Sequence, residues 1–86
     1  MKNYKFKAEA WPDVCRFMAG IAKMCFQFEY VDGSVPCPCV VVVEIRCEAS
    51  LAELVDIANG CVDCHRIAET LAEPETFDAR FSEAMT

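Results

Sequence analysis

Four consecutive valines, Val40 to Val43, followed after one glutamate by Ile45, constrain this chain more than any other segment. Side chains branched at Cβ crowd a helix and suit a pleated surface. The segment from Cys39 to Cys47 therefore reads as a strand, and its apolar content places it at the centre of a sheet. Four valines are also far short of the roughly 20 apolar residues that cross a bilayer. The rest of the 86 residues must supply that strand with neighbours and a cover.

Its first partner is Tyr4 to Ala10, where Tyr4, Phe6, Ala8 and Ala10 alternate with Lys5, Lys7 and Glu9. Period two with one polar face is a strand on a one-sided sheet. Pro12 and Asp13 suit the first turn of a helix. Val14, Phe17, Met18, Ile21 and Cys25 follow at helical spacing and predict a helix from about Pro12 to Lys23. Cys25 to Val31 reads as a second strand, with Phe26, Phe28 and Tyr30 on a face expected to lie beneath the helices. Asp32-Gly33-Ser34 is a turn signal, and Pro36 and Pro38 around Cys37 oppose regular pairing. The second and third strands should form a long hairpin.

Ser50-Leu51-Ala52-Glu53 has the spacing of a capping box. Leu51, Leu54, Val55 and Ala58 give the second helix its buried face, and Asn59-Gly60 its stop, with glycine expected in the left-handed conformation. Two readings follow. The favoured one makes His65 to Leu71 a fourth strand; the other carries a single long second helix to Ala72, giving βαββα. Pro74 closes either element. Phe77, Phe81 and Met85 suggest a short terminal helix or a packed tail over residues 73–86.

The order strand–helix–strand–strand–helix–strand over residues 4 to 72 resembles the ferredoxin-like fold. That resemblance is one of topology. It implies a single α+β domain spanning residues 1–86, an antiparallel sheet in the spatial order 4-1-3-2, and two helices on one face. A fold of this kind hosts many functions and decides none.

Charge is uneven. Residues 1–43 hold four acids and five bases; residues 44–86 hold ten acids against Arg46, Arg66 and Arg80. A net charge of −6 opposes direct binding to nucleic acid or to an anionic membrane surface. Glu53, Asp56, Glu69 and Glu73 are instead expected to face a basic surface of another protein, with Trp11 as an anchor at the first strand–helix junction.

The seven cysteines are odd in number, and the hydrophobic fraction of 55% suffices for a core without disulfides. The first residues, Met1-Lys2-Asn3-Tyr4-Lys5-Phe6-Lys7, lack the apolar core of a signal peptide, so a cytoplasmic location with reduced thiols is expected. Cys61-Val62-Asp63-Cys64-His65 has the C-x-x-C-H spacing of c-type haem attachment, but the expected compartment does not suit that chemistry. Cys37, Cys39, Cys61, Cys64 and His65 could together furnish four soft donors for zinc, provided that the hairpin tip meets the loop after the second helix. No arrangement of nucleophile, base and orienting acid is evident, and no enzyme is expected.

The expected function is stoichiometric protein binding. In size, acidity and want of catalytic residues the chain resembles phage-encoded counter-defence proteins such as anti-CRISPR inhibitors. That resemblance implies a viral inhibitor that occupies a basic or nucleic-acid-binding surface. Toxin–antitoxin antidotes and small adaptors share the same profile. A zinc module is the alternative, and a homodimer that buries the free edge of strand two is a further possibility.

Overall fold

The computed structural model describes residues 1–81. It is a small α+β structure of three strands and four helices: β1 (Lys2–Ala8), α1 (Trp11–Lys23), β2 (Phe28–Cys37), β3 (Val40–Cys47), α2 (Leu51–Asn59), α3 (His65–Thr70) and α4 (Pro74–Phe81). The sheet is antiparallel in the order β1-β3-β2, so the valine-rich segment is central as its composition requires. Among the described residues no helix is long and apolar enough to cross a membrane.

Alternation decides the faces of β1 and β3. Tyr4, Phe6 and Ala8 stand opposite Ile45, Val43 and Val41, and all six are buried. Val14, Phe17 and Ile21 of α1, Leu54 and Ala58 of α2, and Ile67 of α3 join them in one core. Phe6 and Phe17 meet edge to face, with ring centroids 5.1 Å apart. The Tyr4 hydroxyl donates to the Ala49 carbonyl at 2.9 Å, so this core ring keeps its polar end satisfied. The other sheet face carries Lys5 and Lys7, and α4 lies across it. Lys5 sits over the Phe77 ring and pairs with Asp78 at 2.8 Å, and Lys7 sits over Phe81. Phe77 and Phe81 thus belong to a terminal helix, as their spacing predicts, while Met85 lies outside the described residues.

The capping box on α2 forms as expected: the Glu53 N–H donates to Ser50 Oγ and the Ser50 N–H to Glu53 Oε1. Other expectations are corrected. The second strand does not stop at Val31. It runs to Cys37 through Asp32-Gly33-Ser34, with irregularities between Tyr30 and Asp32 and between Ser34 and Cys37. An edge strand tolerates bulges and a proline because only one of its sides must pair. The chain reverses at Pro38-Cys39 instead. Residue 25 belongs to the end of α1 rather than to a strand. Cys25, at φ 64°, closes a Schellman motif in which the Cys25 N–H bonds to the Ala22 carbonyl and the Phe26 N–H to the Ile21 carbonyl. Tyr30 does not lie beneath the helices; it is 52% exposed, whereas Phe26 and Phe28 are half-buried against the core.

A further correction concerns His65 to Leu71. Neither the fourth strand nor the long helix forms: α2 ends at Asn59, and a separate helix, α3, spans His65–Thr70. Gly60 ends α2 in the right-handed region, and the left-handed residue of the link is Asp63, at φ 62°. Burial of Cys64, Ile67 and Leu71 recurs at helical spacing, which a strand would have split between two faces. The segment still reaches β1. The Thr70 hydroxyl accepts from the Lys7 N–H at 2.8 Å. Ala72 makes an isolated antiparallel bridge with Lys5, through bonds of 2.8 and 3.1 Å.

Candidate functional site

β2 presents an unusual surface for a strand. Only Phe28 and Gly33 of its ten residues are even half-buried. Tyr30, Val31 and Val35 are exposed, and Trp11, at the start of α1, joins them at 42% exposure. Gly33 is what allows the aromatic pair to gather. A Cβ there would collide with the Tyr30 hydroxyl and stand 3.0 Å from the Trp11 ring. Among the described residues nothing pairs with the outer edge of β2. An apolar strip beside unpaired backbone groups can receive an extended segment or a hydrophobic side chain of another protein.

Trp11 therefore lies exposed at the first strand–helix junction. The strip formed by Tyr30, Val31 and Val35 was not foreseen. Its signal was available: two valines flank Asp32-Gly33-Ser34, and apolar residues beside a supposed turn fit an edge strand better than a loop.

The four acidic residues are all exposed, but two are already engaged. Glu53 caps α2, and Glu73 faces Lys2 at 3.6 Å. Glu53 and Glu73 flank one depression near Tyr4, and together with burial and Cys47 they push the Tyr4 phenol above its ordinary value. Burial is the largest of these causes. Asp56 lies one turn further along α2, and Glu69 on α3.

The cysteines sort into two pairs. Cys37 and Cys39 are exposed at the hairpin tip, with sulfurs 3.7 Å apart. Cys61 and Cys64 lie between α2 and α3, with sulfurs 2.6 Å apart. Cys64 is fully buried, and His65, next in sequence, is exposed. Among the described residues no three His, Cys, Asp or Glu side chains gather where they could hold a metal ion. The four-donor arrangement expected from Cys37, Cys39, Cys61, Cys64 and His65 is thus not assembled.

On the opposite sheet face an open groove of about 520 Å³ runs between α4 and the hairpin. Val40, Val42, Phe77 and Phe81 line it, and Lys5 and Lys7 cover the two rings. Ser34, Pro36, Cys37 and Asp78 complete its lining, with Asp78 paired to Lys5.

In comparisons with protein families, curated proteins and solved structures, none matches the chain.

Proposed function

We propose that this protein acts by stoichiometric binding to another protein, using the outer edge of β2 together with Trp11 and Tyr30. The observation that carries this reading is the exposure of β2, a ten-residue edge strand with three large apolar side chains in solvent. Hydrophobic anchors in such a strip supply affinity, and the acidic C-terminal half orients the encounter with a basic partner surface. A viral inhibitor that covers a nucleic-acid-binding surface is the form of this function that the charge best fits. Within the same reading, the fold is a ferredoxin-like layout whose fourth strand is reduced to the Ala72 bridge. Ala72 on the free side of β1 supports this, since it extends the observed order to 4-1-3-2.

The test is affinity capture from a host lysate under reducing conditions, with wild-type chain and two variants as bait. One variant carries Val31→Lys and Val35→Lys. The other carries Asp56→Lys and Glu69→Lys, which leave the α2 cap and the Lys2–Glu73 pair in place. The wild type should retain a partner in near-equal amount. The edge variant should lose it, and the charge variant should hold it less tightly with a weaker dependence on salt. Retention indifferent to both variants sinks the reading. Sedimentation velocity over a range of concentrations identifies the case in which the partner is a second copy of this chain.

A further inference from the structure

We propose that Cys61 and Cys64 form a thiol–disulfide exchange site, in which Cys61 attacks, Cys64 resolves, and the oxidant is a small-molecule disulfide. The first support is geometric. The two sulfurs stand 2.6 Å apart, against roughly 2.05 Å in a formed disulfide, so closure needs only a small movement. The backbone holds them there. The Cys61 N–H bonds to the Ala58 carbonyl at the end of α2, and the Cys64 carbonyl accepts from the Ala68 N–H within α3. Asp63 takes the left-handed conformation between them, at φ 62°. For a residue with a side chain that conformation costs about 1–2 kcal/mol, and the flanking helices sustain it.

The second support is the asymmetry of the pair. Cys61 is half-buried and reachable, whereas Cys64 has no exposed surface. The Cys64 thiol can donate to Cys61 or to the Asp13 carbonyl, 3.6 Å away. Burial first, then the hydrogen bond and charge of Cys61, pushes the Cys64 thiol up to about 12, which keeps the proton on the inner sulfur until Cys61 has reacted.

The chemistry runs in two exchanges. The Cys61 thiolate attacks one sulfur of the oxidant, forms a mixed disulfide and releases one small thiolate. Cys64 then gives up its proton and attacks the Cys61 sulfur. The bond to the small molecule breaks, and the second thiolate leaves. The protein loses two protons and two electrons, and the small disulfide becomes two thiols. The other cysteines lack this arrangement. Cys37 and Cys39 are 3.7 Å apart with both sulfurs in solvent, and Cys47 is buried with its sulfur accepting from the Ala49 N–H.

The site is tested on the full chain with oxidised glutathione, followed by acid quenching, maleimide alkylation and tryptic mapping. Cleavage after Arg46 and Arg66 leaves Cys47, Cys61 and Cys64 on one peptide, which serves as its own control. The expected product has lost two hydrogens, with the bond assigned to Cys61–Cys64 and Cys47 still alkylated after unfolding. Cys64→Ser should trap glutathione on Cys61, and Cys61→Ser should abolish the bond. Two results overturn the proposal: glutathione left on Cys61 of the wild-type chain, or a Cys37–Cys39 bond formed while Cys61 and Cys64 both take maleimide. The wild-type map decides between these outcomes without any core substitution.

Discussion

Along the outer edge of β1, Lys5 exchanges two backbone hydrogen bonds with Ala72, and the Lys7 N–H finds the Thr70 hydroxyl. Along the outer edge of β2, no described residue pairs. The two edges belong to one sheet and share the central strand β3, yet one is covered by a later segment and the other is not. The open edge is not undefended. It carries Glu29, Asp32, two irregularities of register and Pro36, all of which discourage edge-to-edge stacking of many copies. One edge of the sheet is thus tied into the fold, and the other is the edge that the proposed function uses.

Phe6→Ala should have the largest effect. Phe6 is fully buried against Phe17, and its truncation should cost about 3–5 kcal/mol in denaturant unfolding. A comparable loss from Tyr30→Ala would erase the distinction between the two edges.

The next effect is a dependence on pH. The Cys64 thiol anchors the start of α3 in the core and is raised from 9.0 to about 12. Its contribution is complete below pH 9, where the unfolded thiol keeps its proton, and it falls as pH rises toward the folded value. Stability measured between pH 9 and 12 should therefore decline, by something on the order of a few kcal/mol. Cys64→Ala should flatten that decline, leaving the part that Tyr4 contributes through its own raised phenol.

Thr70→Val keeps the shape of the side chain and removes the acceptor at the β1 edge. The unpaired Lys7 N–H should cost about 1–3 kcal/mol, and its amide should exchange faster with solvent than the amide of Lys5. Cys25→Gly acts at the entry to the open strand. It should raise stability by about 0.5–1 kcal/mol, because glycine takes the left-handed position without strain. Smallest of all, Val31→Lys should change stability by no more than about 0.5 kcal/mol while removing partner capture.

The strands β1 and β3 and the start of α2 were legible in the sequence. The alternation of β1, the branched run of β3 and the capping box each obey a single local rule that packing then reinforces. Three other stretches were not. Asp32-Gly33 has the chemistry of a turn, but at an unpaired edge the same residues make an irregular strand with room for Tyr30 and Trp11. Cys25 carries no mark of the left-handed position it takes. His65 to Leu71 suits a strand or a helix about equally, and packing against α2 and β1 chose the helix. In the candidate site, exposure of Glu53, Asp56, Glu69 and Glu73 was readable from their spacing. The capping box already announces the engagement of Glu53 with Ser50, whereas that of Glu73 depends on Lys2, a residue remote in sequence. Likewise the C-x-x-C spacing was plain, but it pairs Cys61 with Cys64 and not with the hairpin tip.

The bridge between Lys5 and Ala72 also orders events during synthesis. A ribosome emits β1 first and Ala72 only some 67 positions later, at roughly 5–20 residues per second. Until then the nascent chain shows two uncovered flanks instead of one. Stalling or truncation before Ala72 would release a product whose β1 flank, which lacks the bulges and proline of β2, is open to its own kind, and the segment through Ala72 is what closes it.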